Sequence, residues 1–312
     1  MSGSIERESG MTLLAMPMHA DQLSITTGAV RRLVGEQFPA WAEHEIAHVA
    51  SEGTVNAIFR IGPELAARFP LRAGDPSATQ AELESEAAAS RELAEHTSLP
   101  TPIPVALGRP GADYPLPWSV QTWLPGTTAT TDDPGESVGF ARDLAAFIAE
   151  VRSIDTRGRV FSGHGRGGHL PDHDAWVNRC FAQSEDLLDV PALRALWLRY
   201  RQLAAHPCDV MSHTDLTPGN VLVARGRLAG ILDVGGLAPA DPALDLVSAW
   251  HLLETEPRSA LRATLRCTSL EWQRGQAWAL QQALGWVWYY VDSNPSMSEA
   301  GRRTLDRLLA AG

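Results

Sequence analysis

The sequence predicts an α+β protein in two lobes, a smaller N-terminal lobe built on short strands and a larger, mainly helical C-terminal lobe. Three observations predict this division. Apolar runs of strand length dominate between residues 51 and 126. Pro125 and Gly126 then interrupt the chain with residues that end regular structure. Beyond them, apolar residues recur mostly at helical spacing, apart from one hairpin.

Length and composition are compatible with two lobes. The chain has 312 residues, of which 44% are hydrophobic, and this suffices for a core in each lobe. We expect residues 1–20 to form a flexible extension, 21–124 the N-terminal lobe and 125–312 the C-terminal lobe. The apolar stretch 11–18 is too short to span a membrane, and Glu6 and Glu8 precede it where a signal peptide has a basic region, so we interpret it as neither a signal peptide nor an anchor. Met11 and Met18 are alternative start sites.

The strands of the first lobe follow in order along the chain. Residues 51–62 contain one glycine, Gly53, between strand-like segments, and residues 65–71 form the next apolar run. Residues 118–126 read as a strand that breaks at Pro125 and Gly126, so we place the connection between the lobes at about 121–125.

The second lobe should be helical around one hairpin. Residues 221–224 and 228–232 are strand-length runs joined by a three-residue turn, and Asp233 follows the second run. The segments with helical periodicity are 136–152, 174–188, 192–203, 242–254 and 270–291.

Residues 213–233 carry the strongest functional signal. The pattern H-x-D-x-x-x-x-N sets His213, Asp215 and Asn220 on one short loop, and Asp233 closes the hairpin behind it. Phosphoryl transfer needs a carboxylate that orients the attacking hydroxyl and oxygen ligands that hold Mg2+. The spacing therefore predicts one base and two metal ligands, although an isolated aspartate at such positions is often only a turn residue.

This segment resembles the catalytic loop of the aminoglycoside phosphotransferase family, whose fold is similar to that of protein kinases. The resemblance extends to residues 86–93 and 99–108, to the DPALDL segment at 241–246 and to residues 274–295. It implies an antiparallel sheet with a helix in the N-terminal lobe. It further implies that Asp215 is the catalytic aspartate, that Asn220 and Asp233 bind Mg2+, and that His213 and Asp245 support the loop.

The nucleotide side departs from the kinase pattern, because all 26 basic residues are arginines. The lysine that usually holds the α and β phosphates of ATP or GTP is matched by Arg68, with Glu86 as its expected partner and Glu84 and Glu82 as competitors. Guanidinium is always charged and binds phosphate through two nitrogens, so the electrostatic role can survive.

Other nucleotide contacts are expected on both sides of Arg68. Ser51, Gly53 and Asn56 could fold over the phosphates, although an ordinary hairpin turn explains their spacing equally well. The resemblance implies that the base bonds to the backbone at about Thr122 to Leu124, with Gln121 behind it.

A literal G-x-G-x-x-G at Gly163, Gly165 and Gly168 lacks the strand before it and the helix after it, so we do not read it as a phosphate loop. The nearby histidines 164, 169 and 173 have no cysteine or helix to set zinc geometry, and a polar loop at the edge of the substrate cleft is the simpler interpretation.

The acceptor is expected to be a small molecule. Only seven residues separate Asp233 from Asp241, which leaves no room for the activation segment of a protein kinase. A formal net charge of −11 disfavours nucleic acid and favours a cation, although acidity also serves solubility. The candidates to hold ammonium groups are Asp174, Glu185, Asp189, Glu254 and Glu271.

The function expected is a kinase for an aminoglycoside-like or other antibiotic or metabolite, in the cytoplasm, as a monomer or dimer without nucleic-acid or membrane partners. Macrolides, choline-like amines and biosynthetic intermediates remain open as acceptors. The alternative is a pseudokinase-like protein that binds nucleotide or metabolite without transfer, for which Arg68 and the single-glycine loop argue. Three dispersed cysteines predict a reducing compartment.

Overall fold

The computed structural model describes residues 23–49, 55–163 and 166–312. Its N-terminal lobe is an antiparallel sheet of five strands with the spatial order β1-β2-β3-β5-β4. The strands are β1 (Ile46–Val49), β2 (Asn56–Ile61), β3 (Leu65–Pro70), β4 (Pro104–Gly108) and β5 (Trp118–Thr122). β3 is central, and Arg68 lies opposite Ile58 of β2 and Ser119 of β5. Arg68 is thereby held on a strand that is paired on both sides.

Two helices accompany this sheet, α1 (Thr27–Gln37) and α2 (Pro76–Ala94). The segment 86–93, matched by resemblance to a helix of the N-terminal lobe, covers only the second half of α2, and the helix begins ten residues earlier. Asp75 caps it by accepting the amide of Ala78 at 2.9 Å, and Pro76 occupies the first turn. Both are ordinary signals of a helix start. The long α2 presents Glu86 to the sheet.

The C-terminal lobe is mainly helical. Its helices are α3 (Val138–Ser153), α4 (Asp174–Gln183), α5 (Val190–Tyr200), α6 (Val247–Leu252), α7 (Thr255–Leu265), α8 (Ser269–Tyr289) and α9 (Pro295–Ala311). The five predicted helical segments correspond to α3, α4, α5, α6 and α8, although the segment predicted at 242–254 begins with a turn of 3-10 helix at Leu244–Leu246. The helices α1, α7 and α9 were not among the segments predicted from helical periodicity. The α+β, sheet-plus-helices architecture is confirmed.

Two small sheets join the segment 213–233 to the helices. In one, β6 (Thr127–Thr128), β8 (Val221–Ala224) and β9 (Arg227–Ile231) pair in the order β6-β8-β9. In the other, β7 (Val210–Ser212) pairs with β10 (Ala238–Ala240). The loop between β7 and β8 and the turn between β9 and β10 therefore emerge side by side. This arrangement brings Asp215 and Asp233 to the same end of the lobe.

Each lobe has its own hydrophobic cluster. The N-terminal cluster joins α1 to the sheet through residues such as Leu33, Phe59 and Trp118. The larger one collects the helices and the catalytic hairpin around residues such as Phe147, Trp250 and Trp278. In the part of the chain that the structure describes, every helix is too short or too polar to cross a bilayer.

Candidate active site

The loop after β7 is held by a buried carboxylate. Asp245 accepts the backbone amides of His213 and Thr214 at 3.0 and 3.1 Å, and the Ser212 hydroxyl at 2.8 Å. Because Asp245 is only 2% exposed, these bonds both satisfy its charge and fix the backbone that precedes Asp215. Thr214 has a φ of 70°, a left-handed conformation that such a bonded loop can maintain.

His213 ties the loop to the hairpin from inside. Its Nε2 lies 3.0 Å from the carbonyl oxygen of Leu232, and its Nδ1 lies 3.3 Å from the backbone nitrogen of Asp215. The two contacts are compatible with one neutral tautomer, in which Nε2 donates and Nδ1 accepts. His213 is fully buried, so it acts through the backbone. His213 thereby sets the distance between the backbone of Asp215 and the end of β9, which precedes Asp233.

Asn220 closes the same loop. Its side-chain nitrogen donates to the backbone oxygen of Asp215 at 3.0 Å, and its backbone oxygen accepts the amide of Leu232 at 2.8 Å. The side-chain nitrogen is thus oriented into the loop. The carbonyl oxygen of the amide is the atom left to face a cation.

Asp233 stands at the end of β9 in a left-handed conformation, with φ 53° and ψ 48°. This region is sparsely populated by residues other than glycine and costs of order 1–3 kcal/mol. A turn of 3-10 helix, Val234–Gly236, follows at once. The strained turn leaves the carboxylate half exposed toward the N-terminal lobe.

Arg68 joins the two lobes at this point. Its guanidinium lies 3.3 Å from Glu86 of α2 and 3.0 Å from Asp233, through different nitrogens. The side chain is only 13% exposed. Burial raises the pKa of Glu86, the Arg68 charge opposes this, and Asp233 adds to it. Neither Glu82 nor Glu84 takes the place of Glu86 as the ion-pair partner, and both are exposed.

Gly235 permits the close approach of α2. A Cβ at this position would lie 2.8 Å from both Cβ and Cγ of Glu86. No real side chain tolerates such a distance without movement. The absence of a side chain at Gly235 therefore helps to set where Glu86 meets Arg68.

The connection between the lobes offers few unused amides. The amide of Thr122 donates to Ile103 at 2.9 Å, and that of Trp123 donates to Glu64 at 2.7 Å. Of the three amides at 122–124, only that of Leu124 has no such partner within the described residues. Gln121 lines a cavity of about 70 Å3 together with Arg68 and Glu86.

Of the expected phosphate loop, Ser51 and Gly53 lie outside the described residues. Asn56 begins β2 and pairs in register with Pro70, two residues after Arg68. His164 and Gly165 also lie outside the described residues. His173, by contrast, has its Nε2 2.9 Å from the backbone oxygen of Gly167.

The five expected acceptor carboxylates are not brought together. Asp174 pairs with Arg201, Glu254 with Arg307 and Glu271 with Arg152. Asp189 caps α5 by accepting the amide of Ala192, and Glu185 is exposed. Four of the five therefore already hold partners within the protein.

The motifs did not single out two arginines, one of which pairs with Asp215 while the other lines a neighbouring cavity. Arg166 forms an ion pair with Asp215 Oδ1, and it is carried by the loop that follows α3. The same loop walls a cavity of about 480 Å3, whose lining includes Asp172, Asp209 and Gly167. Nothing in the spacing of the sequence links Arg166 to Asp215, because 48 residues stand between them.

Arg274 of α8 is the second of these arginines. It is buried with Asp241, and the pair lies at the wall of the same cavity. Asp241 also accepts the indole nitrogen of Trp278 at 3.0 Å and the amide of Ala243 at 2.9 Å. A buried ion pair needs such additional bonds to offset its desolvation. This network fixes the segment after β10 against α8.

The donor set at the hairpin fits one hard cation that is shared with a ligand. The described residues contain no group of three or more His, Cys, Asp or Glu that could hold a metal by themselves. Asn220 and Asp233 offer an amide oxygen and a carboxylate. Mg2+ characteristically uses one or two protein oxygens and completes its shell with phosphates and water.

Comparison with known proteins gives a family match and a fold match. The model of a family described as "Phosphotransferase enzyme family" matches residues 47–279. The Escherichia coli protein named aminoglycoside 3'-phosphotransferase is 28% identical over 145 residues, which are 44% of this chain and 52% of that protein. The chain thus spans about half the length of the curated relatives it matches.

Solved structures resemble the whole fold. The GDP and kanamycin complex of APH(2")-IIia superposes with a TM-score of 0.67 at 18% identity, covering 91% of this chain and 99% of that one. The macrolide 2'-phosphotransferase MphH from Brachybacterium faecium gives a TM-score of 0.58 at 17% identity, covering 90% and 97%. At these identities the likeness concerns the fold alone.

Proposed function

The chain belongs to the phosphotransferase enzyme family, and we propose that it transfers the γ-phosphate of ATP or GTP to a hydroxyl group of a small molecule. The observation that carries the proposal is the convergence of Asp215, Asn220 and Asp233 at one end of the C-terminal lobe with Arg68 reaching them from the other lobe. A base, oxygen ligands and a phosphate-binding cation are the parts that phosphoryl transfer requires.

In the proposed reaction Asp215 orients the acceptor hydroxyl and accepts its proton. A bond forms between the hydroxyl oxygen and the γ-phosphorus while the bond from that phosphorus to the bridging oxygen breaks, and the nucleoside diphosphate leaves. Asn220 and His213 hold the backbone of Asp215, so the carboxylate does not need to be ordered during the reaction.

Asn220 and Asp233 would hold Mg2+, which neutralises negative charge on the phosphate oxygens when it is bound. The donor types support this assignment, since both offer hard oxygen atoms. Asp233 forms an ion pair with Arg68 in this structure. When nucleotide phosphates bind the Arg68 guanidinium instead, the Asp233 carboxylate would be free to bind the cation.

Arg68 would hold the α and β phosphates. It is nearly buried, lies on the central strand and is positioned by Glu86, so its fork of donors is presented in a fixed direction. Guanidinium binds phosphate oxygens through paired nitrogens, which compensates for its different reach from that of lysine. We further propose that the base contacts the backbone at residues 122–124.

We place the acceptor beside the loop that carries Arg166. This loop contacts Asp215 and also walls the cavity that Asp172 and Asp209 line. The relatives named above are aminoglycoside and macrolide phosphotransferases, and we propose an antibiotic of one of these classes as the acceptor. The ion pairs of Asp174, Glu254 and Glu271 mean that a cationic acceptor would need to displace an arginine to use them.

The second candidate is a protein that binds nucleotide without transferring phosphate. Two ion pairs favour it, one between Arg68 and Asp233 and one between Arg166 and Asp215. In each pair the guanidinium neutralises the carboxylate. Turnover requires the ligands to displace both contacts.

One experiment separates the two candidates. The purified protein is incubated with Mg2+ and either ATP or GTP together with aminoglycosides, macrolides and choline-like amines, and mass spectrometry records the gain of one phosphate. Asp215→Asn serves as the matched control, with an expected loss of about 10²- to 10⁴-fold in turnover. Nucleotide binding without any phosphorylated product would favour the binding protein, and full turnover in Asp215→Asn would remove Asp215 from the mechanism.

A further inference from the structure

A third cavity, of about 410 Å3, lies away from the catalytic loop. Its walls come from α6, α7, α8 and the last turn of α9. None of its lining residues belongs to the catalytic loop, to the β8–β9 hairpin or to the N-terminal lobe. A cavity of this size can enclose a small organic ligand.

Two arginines of α7 line this cavity. Arg258 and Arg262 are four residues apart and so project from the same face of the helix. The guanidinium of Arg258 lies 4.3 Å from the ring centroid of Trp250, and that of Arg262 lies 5.4 Å from the ring of Trp272. The two indole rings are themselves 5.5 Å apart. The result is a pair of adjacent arginine–tryptophan stacks.

Neither arginine has a carboxylate within ion-pair distance among the described residues. Arg258 is only 7% exposed, yet it donates only to neutral oxygens, those of Leu253 at 3.1 Å and Thr255 at 3.5 Å. Arg262 makes one long contact, 3.4 Å, with Ser269.

The carboxylate whose charge acts on Arg258, that of Glu254, is already engaged. The Glu254 carboxylate accepts a hydrogen bond from Arg307, so its charge affects the pKa of Arg258 only from a longer distance. Burial, with the charge of Arg307 adding to it, lowers the pKa of Arg258. A buried cation without a counter-charge is costly, and the protein carries this cost at the wall of an open cavity.

The remaining lining adds donors and no negative charge. The lining contains hydroxyl and amide side chains but no Asp or Glu. The indole nitrogen of Trp250 is buried and has no hydrogen-bond partner within the described structure. The walls therefore supply an excess of donors and of positive charge, in a protein whose formal net charge is −11.

We infer that this cavity is a binding site for the phosphate group of a small phosphorylated molecule, separate from the catalytic cleft. Two neighbouring guanidinium groups match the double charge and the several acceptor oxygens of a phosphate monoester. The ligand would supply the missing counter-charge to Arg258 and Arg262. The cavity, of about 410 Å3, leaves room for a carbon skeleton beside the phosphate.

The test reads the cavity locally by NMR. The 15N-labelled full-length protein is titrated at constant ionic strength with inorganic phosphate, phenyl phosphate and benzoate. The indole N–H signals of Trp250 and Trp272, assigned from Trp→Phe variants, report on the cavity, and that of Trp118 in the N-terminal lobe serves as the remote reference. Saturable shifts at Trp250 and Trp272 are expected with phosphate and phenyl phosphate, with weaker binding of benzoate.

Arg262→Gln should weaken phenyl phosphate binding by about tenfold or more, because one charged donor pair is lost at a partly exposed helix position. Arg303→Gln is the matched control, since it removes a positive charge from an exposed site on α9 that does not line the cavity. Absence of saturable shifts in the unmodified protein, or equal affinity in Arg262→Gln, would overturn the inference. Equal or tighter binding of benzoate would overturn the assignment to phosphate. The result does not depend on phosphoryl transfer.

Discussion

Arg68 is the residue on which the chemistry of this site depends most. We propose that it replaces the phosphate-binding lysine of kinases, and its two contacts, to Glu86 and Asp233, use different nitrogens of one planar group. A lysine has a single nitrogen and a different reach. Both the planar shape and the charge of the guanidinium are therefore used at this site.

Arg68→Lys should lower kcat/KM by about tenfold, since the ammonium group cannot hold Glu86 and phosphate oxygens in the same geometry. Steady-state kinetics with the better nucleotide measure this effect. Arg72→Lys, just beyond β3 and exposed, is the control and should leave the kinetics unchanged. Improved turnover in Arg68→Lys would instead show that the arginine is a compromise.

Arg166 brings a second guanidinium to the reacting atoms through its ion pair with Asp215. Once the ligands have displaced it from Asp215, the Arg166 guanidinium can stabilise the charge of the transferring phosphoryl group, so Arg166→Met should lower kcat by about 10²-fold with little change in KM for nucleotide. Arg157→Met, on the exposed part of the same loop, is the control. Faster turnover in Arg166→Met would identify Arg166 as a cover on Asp215 that slows the reaction.

At the scale of elements, the position of α2 is set by its contact with the turn Val234–Gly236. Gly235→Ala would push a methyl group into Glu86, because its Cβ would lie 2.8 Å from that side chain. We expect about 1–3 kcal/mol of destabilisation in urea unfolding and a loss of turnover through the displaced Arg68–Glu86 pair. Gly28→Ala in α1 meets only ordinary contacts at 3.8 Å and should not destabilise the fold. Unchanged stability and turnover in Gly235→Ala would show that α2 is free to adjust.

A second contact between elements has a pH dependence that can be predicted. Asp143 of α3 accepts Nε and Nη2 of Arg227 of β9 at 2.6 and 2.5 Å, and these hydrogen bonds lower the pKa of the Asp143 carboxyl. Because the folded-state pKa is depressed, the stabilisation is present above the ordinary value of 3.8 and is lost as the pH falls below it. Arg227 is largely exposed, so screening by solvent keeps the contribution of this pair to stability small.

Asp143→Asn should therefore reduce the free energy of unfolding at pH 7 and have no effect once the pH is well below the folded-state pKa. Urea unfolding at several pH values measures this difference. Asp132→Asn removes an exposed carboxylate for which the structure shows no ion pair, and it is the control. A difference between Asp143→Asn and the unmodified protein that persists undiminished in acid would contradict the assignment.

At the scale of the whole molecule, the site lies between two separately packed lobes. Arg68 and Asp233 face each other across it, and Arg159 holds Glu92 of α2 through two hydrogen bonds of 3.0 and 2.7 Å. Thr97 and Ser98 likewise donate to Glu150 of α3. A nucleotide that contacts both lobes should therefore stabilise the molecule as one unit.

Mg2+ with ATP or GTP should raise the melting temperature, because a ligand at 100 times its Kd stabilises the folded state by about 2.7 kcal/mol. Differential scanning fluorimetry measures the shift. Removal of Mg2+ with EDTA, or Asp233→Ala, should abolish most of it. An equal shift without Mg2+ would show that Asn220 and Asp233 are not required to bind the nucleotide.

Much of the catalytic segment could be predicted from sequence because its geometry is local. His213, Asp215, Asn220 and Asp233 lie within 21 residues of one another, so a loop and a hairpin suffice to bring them together. The pair of Arg68 and Glu86 could be predicted for a similar reason, because β3 and α2 follow one another along the chain. The helix starts at Thr26 and Asn294, by contrast, carry capping residues that a reading based on apolar periodicity passed over.

The α+β class and the family could be predicted from the sequence, because apolar patterns and the motif at 213–233 are local properties of the chain. Which charged groups remain available for ligands depends on how distant parts of the chain pack together. Asp174 meets Arg201 and Asp215 meets Arg166 through contacts between residues far apart in the chain. The sequence does not distinguish a carboxylate that an arginine neutralises from one that binds a ligand. The surroundings of the carboxylate decide that, and they exist only once distant elements have packed.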